Sequence, residues 1–214
     1  NNEVYASYNR IFDCRGHGWS NVQSTHINLP FKTDEDFVKL HAAIRVILPL
    51  VPALAASSPI YDGKVHQTQD ARLEFYKKNQ LKVPIIAGDI IPERVTSMQN
   101  YHDVILSNIY NEIAVHDSDN ILKEDWLNSR GAIARFERQS IEIRLMDIQE
   151  CPLADCAIIE FIVHILKVLC LGKWISFDSQ QSQTSLSLKN MLDLNIQEAE
   201  TTVFKDQSFA KFWG

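Results

Sequence analysis

The sequence predicts an α+β fold, an antiparallel sheet with helices packed on one face, in a single domain over residues 1–214. Two segments with strand periodicity lead there. Ser24, His26 and Asn28 alternate with Thr25, Ile27 and Leu29, and Glu142 and Arg144 alternate with Ile141, Ile143 and Leu145. A period of two sends successive side chains to opposite faces of a sheet. The remaining observation is a set of stretches with helical apolar spacing around them. Because the two alternations match, the segments are expected in one sheet with His26 and Glu142 on the same face; a slip of one residue would bury the charged set.

Taken in order, residues 3–12 read as a short helix leading into a loop at 13–20, where Gly16 and Gly18 permit a tight path. A strand over 22–29 follows and Pro30 ends it. Thr33 and Asp36 have capping-box spacing, with Asp in place of the usual Glu or Gln, ahead of Phe37, Leu40, Ile44, Ile47, Leu48 and Val51. Pro49 and Pro52 each lack a backbone donor and should kink or end that helix. Residues 55–88 read mostly as loop, on the strength of Ser57, Ser58 and Pro59, then Asp62 and Gly63, then the polar run 66–70. A second helix over 97–113 puts Tyr101, Val104, Ile105 and Ile109 on its inner stripe, and 126–136 carries Asn128, Arg130 and Arg135 into the second strand. A third helix over 154–171, introduced by Pro152 and Asp155, is apolar on nearly every side and is expected at the centre of the core. The Ser- and Gln-rich stretch 176–187 reads as a flexible connector before two short polar helices. No internal repeat is visible.

Composition narrows the setting. With 45% hydrophobic residues the chain can bury one sizeable core, and a formal charge of −6 argues against an unspecific grip on nucleic acid, which works by neutralising phosphates. The longest apolar stretches are interrupted by charge or proline short of a membrane span. The four cysteines, Cys14, Cys151, Cys156 and Cys170, show no paired spacing. A cytoplasmic protein with reduced thiols is expected. The chain opens on Asn1 and lacks the basic and apolar regions of a signal peptide, so the expectation is that residues lie upstream and that this is the C-terminal part of a longer protein. An interrupted sheet would expose an edge through which copies could pair.

Glu142 and Arg144 admit two readings: an ion pair on a solvated sheet, or an acid that ligates Mg²⁺ beside arginines that hold phosphates. The density of Arg130, Arg135, Arg138 and Arg144 around one acid favours anion binding, because planar guanidinium groups grip oxyanions at two points. His26 has no companion pattern for zinc. With Asn28 on its face it could instead orient a nucleotide-bound Mg²⁺. His17 lies between two glycines beside Arg15 and is either an exposed loop residue or a substrate contact. Arg72 is either solvated or a clamp for a substrate carboxylate. No glycine-rich phosphate loop occurs, so an ATP site would have to be built on a sheet.

Three blocks, DCRGHGWSNVQSTHINLPF, LHAAIRVILPLVPALAASSP and WLNSRGAIARFERQSIEIRLMDIQECP, resemble the bacterial carboxylate-amine ligases related to glutamate-cysteine ligase, in order and approximate spacing over most of residues 1–175. The resemblance implies a glutamine-synthetase-like catalytic fold, incomplete at its N-terminus. It implies that ATP phosphorylates a glutamate-like carboxylate and that an amine displaces the phosphate. By position it puts His26 and Asn28 on the family's metal and nucleotide strand, Glu142 on its metal-binding glutamate, Arg144 on the neighbouring phosphate-side arginine, and Arg72 on an arginine near the substrate. The residues themselves add Arg135 as catalytic beside Arg144, Arg138 as nucleotide-side, and His17 and Arg15 as substrate-side. Asn28 stands where the family commonly has a second histidine, and the paired-glutamate strand that supplies further Mg²⁺ ligands has no counterpart here. The competing class is a noncatalytic binding or regulatory module that keeps the ligase sheet.

Overall fold

The computed structural model describes residues 2–203 and 207–214. Its centre is a three-stranded antiparallel sheet in the order β1 (Ser24–Pro30), β3 (Ser140–Asp147), β2 (Ala132–Arg135). The two alternating segments therefore pair directly, Asn28 opposite Glu142 and Ile27 opposite Ile143. The register shifts between Thr25 and Ile27, so that His26 faces both Arg144 and Leu145, a bulge of the kind that re-aims side chains. β2 pairs Ile133 with Glu142 and Arg135 with Ser140 on the other side. Ile27, Ile141, Ile143, Ala132 and Ala134 are buried in the core.

The helix α1 runs Glu3–Phe12, with the Asn2 side chain accepting from the Val4 amide. α2 (Asp34–Ile47) begins at the expected capping box, in which the Thr33 side chain accepts from the Asp36 amide and the Asp36 carboxylate accepts from the Thr33 amide. Pro49 and Pro52 end it as expected: a 3-10 turn at Leu48–Leu50 leads into α3 (Val51–Ala55). By length and composition Asp34–Ala55 could cross a membrane, contrary to the expectation that no stretch reaches span length, but 78% of its apolar window is buried inside the fold. It is a core helix: Phe37, Ala42, Ala43, Ile44, Val46 and Ile47 are fully buried.

Residues 55–88 hold more structure than their turn residues predict. Ile60–Tyr61 and Lys64–Val65 form a small hairpin, and α4 occupies Ala71–Lys78. α4 has almost no apolar stripe to announce it; it is fixed at its start by Asp70, which accepts from the Leu73 amide, and by Arg72, whose Nε donates to Asp147 on β3. The helix over 97–113 is present as α5 (Met98–Tyr101) and α6 (Ser107–Ile113), joined by a π-helical turn at His102–Leu106.

α7 (Pro152–Cys170) is not central. It buries only Ile162, Leu166 and Leu169, while Leu153, Phe161 and Val168 are exposed. α2 takes the central place because its alanines allow close approach, and an apolar composition confers capacity for burial without assigning position. The stretch 176–187 is helical for most of its length, α8 covering Phe177–Ser182 after a Ser176 cap, and α9 (Ser185–Glu198) buries Leu188, Met191, Leu192 and Ile196. α10 (Gln207–Trp213) closes the chain. Serine and glutamine are neutral in helices, so their abundance alone does not argue for a connector.

Candidate active site

The polar face of the sheet converges on Glu142. Its side chain is only 6% exposed, and three cationic or polar groups reach it: Arg144 Nε donates to Oε1 at 2.7 Å, Arg135 Nη1 donates to Oε2 at 3.1 Å, and His26 Nδ1 lies 3.2 Å from Oε1. The bulge at His26 and the pairing of β2 with β3 bring groups from three strands to one carboxylate. Burial alone would raise the Glu142 pKa, but the His26 hydrogen bond and the charge and hydrogen bond of Arg144 outweigh it and hold the group at about 2. Asp125, just before β2, accepts from Arg135 Nε at 3.0 Å and from the Phe136 amide, and so fixes the guanidinium that meets Glu142.

Arg144 connects this cluster to a cavity of about 760 Å³ walled by Tyr8, Trp19, Tyr76 and Trp126, with Gln80 and Ser129 among its polar groups. Tyr8 on α1 packs edge-on to Trp19 at 5.5 Å and against Trp126 at 6.0 Å. Gln80 donates to Ser129 at 2.7 Å across this wall. α4 contributes Tyr76, so the tie of Arg72 to Asp147 positions part of the cavity as well as the helix.

The other sequence candidates lie elsewhere or have other partners. Asn28 is exposed on the same face, its Cα opposite that of Glu142. Arg138 is exposed in the turn between β2 and β3, and Arg15 is paired with Asp13 of its own loop and almost fully solvated. His17 contacts Asn21 at 2.9 Å and Asp62 at 3.0 Å, packing on Tyr61 and Phe75. Arg72 is not presented to a substrate: it is buried against Asp147, which also accepts from the Ser57 amide and the Ser58 hydroxyl. Arg130 leaves the Glu142 neighbourhood altogether. Buried and forked onto Glu93, it donates from Nε and Nη2 at 2.6 Å each. Alternation along the chain could not show this, because Arg130 precedes β2 and its partner Glu93 lies 37 positions away.

Residues the sequence did not single out for chemistry are Asp125, Tyr8 and the cavity aromatics. Trp19 and Trp126 lie within the matched blocks, whereas Asp125, Tyr8 and Tyr76 do not. As a test for Mg²⁺, Glu142 already has both oxygens engaged, and among the described residues no group of three or more His, Cys, Asp or Glu gathers around a common point. Mg²⁺ draws on several oxygen ligands, usually with retained water. The described residues do not by themselves form such a site.

No solved structure matches this chain. An uncharacterized protein of Archaeoglobus fulgidus is 44% identical over 164 residues, which is 77% of this chain and 44% of that relative, so the chain spans less than half the length of the relative it matches. The family profile described as glutamate-cysteine ligase family 2 matches residues 2–192, the span that contains the sheet, the Glu142 cluster and the aromatic cavity. The chain belongs to glutamate-cysteine ligase family 2.

Proposed function

We propose that this chain contributes to an ATP-dependent carboxylate-amine ligase that forms an amide through an acyl phosphate. The observation that carries this is Glu142 held between Arg135 and Arg144, with Arg144 at the wall of an open aromatic cavity. Arg144, fixed through Nε, would present its planar guanidinium to the oxyanion of a bound acid, and Glu142 and Asp125 would keep the two guanidinium groups from turning. Preorganised cations of this kind stabilise charge spread over several oxygens without reorganising during the reaction. ATP is the phosphoryl donor in this proposal. Mg²⁺ belongs to it only as an ion held largely by groups outside these residues, and no step is assigned to it. The substrates are a glutamate-like acid and an amine, in the cytoplasm, with no role for nucleic acid or a membrane, and with copies able to pair through a sheet edge.

The test is phosphate release together with mass detection of the amide, in the full-length gene product, across a panel of acids and amines. Phosphate release that requires both acid and amine supports the proposal. Arg144→Lys should then lower turnover about tenfold or more while weakening ATP binding less, because lysine keeps the charge and loses the two-point grip. A second reading, a noncatalytic ligand-binding module, is favoured by the full engagement of both Glu142 oxygens. Ligand binding with no amide formed would assign the protein to it.

A further inference from the structure

The loop before β1 supplies Cys14, Gly18 and Trp19 to the cavity wall, and a single ring ties that loop to its neighbours. Gly18 (φ 80°) lies so near the end of α4 that a Cβ on it would meet Asn79 Nδ2 at 2.7 Å. The amides of Trp19 and Ser20 both donate to the Gly16 carbonyl, and the Gly18 amide donates to that of Asn21. At the apex of this tight path His17 reaches the hairpin: Nδ1 lies 2.9 Å from Asn21 Oδ1 and Nε2 lies 3.0 Å from Asp62 Oδ2. The ring packs on Tyr61 at 5.3 Å and on Phe75 of α4 at 4.9 Å. Asp62 and Gly63 both have positive φ, as in the two-residue hairpin turns that favour Asp-Gly and Asn-Gly. The turn therefore holds Asp62 at the hairpin tip, facing a histidine 45 positions away.

Both ring nitrogens of His17 face oxygen atoms. A neutral imidazole has one N–H and can donate to one of them; the imidazolium donates to both. The Asn21 hydrogen bond and then that of Asp62 raise the His17 pKa, the Asp62 charge adds to them, and partial desolvation opposes. Around the ring, Asp62 meets it from the hairpin, where Lys64 lies opposite Tyr61 and His66 is stacked on Tyr61 at 3.5 Å. α4 meets it with Phe75, while Glu74 of that helix pairs with Lys77 and Lys78. On its own loop Asp13 and Arg15 pair with each other. A histidine with a raised pKa makes its full contribution below the ordinary value and loses it as pH rises through the folded value. We propose that the His17–Asp62 contact is a proton-operated strap on this cavity, holding the Trp19 loop against the hairpin and α4 while His17 is charged and releasing it when the proton leaves. The Trp19 wall is then fixed in mildly acidic conditions and yields in alkaline ones. The strap belongs to the cavity whether or not the ligase reading holds.

The experiment is acrylamide quenching of Trp19 in the full-length gene product at about pH 6 and about pH 8.5, either side of the histidine range. Subtracting the Trp19→Phe protein isolates its signal, and the His17 ring is titrated by NMR in parallel. The quenching constant should rise about two- to fivefold between the two conditions, the range that an exposed ion pair supports, with an unchanged circular dichroism spectrum. His17→Gln should show no such rise. It leaves Asp70, which titrates in the same range, in place, and so separates the strap from the start of α4. Asp62→Asn suits the same turn and removes only the charge, so it keeps the test decisive if His17→Gln fails to fold. It should lower the His17 midpoint and raise quenching at about pH 6 toward the alkaline level. Equal quenching of the parent at both pH values would overturn the proposal. So would the same rise in His17→Gln, or a His17 midpoint unmoved by Asp62→Asn.

Discussion

His26 on β1 and Glu142 on β3 meet across the sheet, Nδ1 3.2 Å from Oε1, although 116 positions separate them in the chain. The register shift beside His26 permits this, and the meeting places both on the face that the matching alternations require. The consequences of that cluster can be measured.

Removing the Glu142 charge should destabilise the fold. Glu142→Gln leaves Arg135 and Arg144 facing each other without their shared acid, and breaking a buried pair costs about 3–5 kcal/mol. Urea unfolding at pH 7 reads this as a lower midpoint with an unchanged slope. A midpoint equal to the parent would show that the pair contributes nothing to stability.

The same residue sets an acid limit. The folded pKa of Glu142 is depressed to about 2, so its contribution is present above the unfolded value and is lost as pH falls toward 2. A shift of that size is worth about 3 kcal/mol. Unfolding free energies of the parent and Glu142→Gln should therefore converge between about pH 5 and pH 2. Curves that stay parallel across that window would remove the assignment.

Asp70 should act in the opposite sense. It is fully buried, and burial followed by the Asp147 charge raises its pKa to about 8, against the smaller opposing effect of Arg72. A carboxyl whose folded pKa is raised favours folding while protonated, so this contribution is complete below the unfolded value and declines as pH climbs from about 4 to 8. Asn in its place keeps the cap on the Leu73 amide without the titration. Asp70→Asn should flatten the stability profile over that range and exceed the parent at pH 8. Chemical unfolding at stepped pH measures it, and an unaltered slope would count against a buried proton.

Gly131 admits no side chain. A Cβ there would lie 2.8 Å from both Cγ and Cδ1 of Leu145, on the strand that carries Arg144. Gly131→Ala should cost about 1–3 kcal/mol through overpacking, a fall of several degrees in melting temperature. A melt within one degree of the parent would mean that Leu145 moves aside without cost.

The thiols should separate into two classes. Cys151 and Cys156 are exposed, whereas burial raises Cys14, with the Asp13 charge adding to it, and raises Cys170 against a smaller opposing effect of Lys39. Because the thiolate is the reactive form, a colorimetric disulfide reagent should titrate the exposed pair about tenfold faster than the other two in native protein. A single rate for all four would contradict the burial.

The strands were legible because alternation is a local property: each of β1 and β3 needs only its own side chains to declare which face is polar, and their match fixes the pairing. The capping box at Thr33, the proline stop after α2 and the helix over 97–113 were legible for the same reason. So was half of the site. Glu142, Arg144, Arg135 and His26 share a face by parity or by pairing, and three long matched blocks carried the family. What tertiary structure alone decided is where the remaining charges go. Arg72 and Arg130 look like their neighbours in sequence, yet one is committed to Asp147 and the other to Glu93, partners 75 and 37 positions away. α4 forms because of such a tie rather than its own weak stripe, and α7 lies at the periphery because α2 packs more closely on the sheet. The aromatic cavity draws on α1, the loop before β1, α4 and the turn at Trp126, segments with no shared local period. Periodicity specifies faces; only long-range packing specifies which faces meet, and the burial of an arginine depends on finding its acid there.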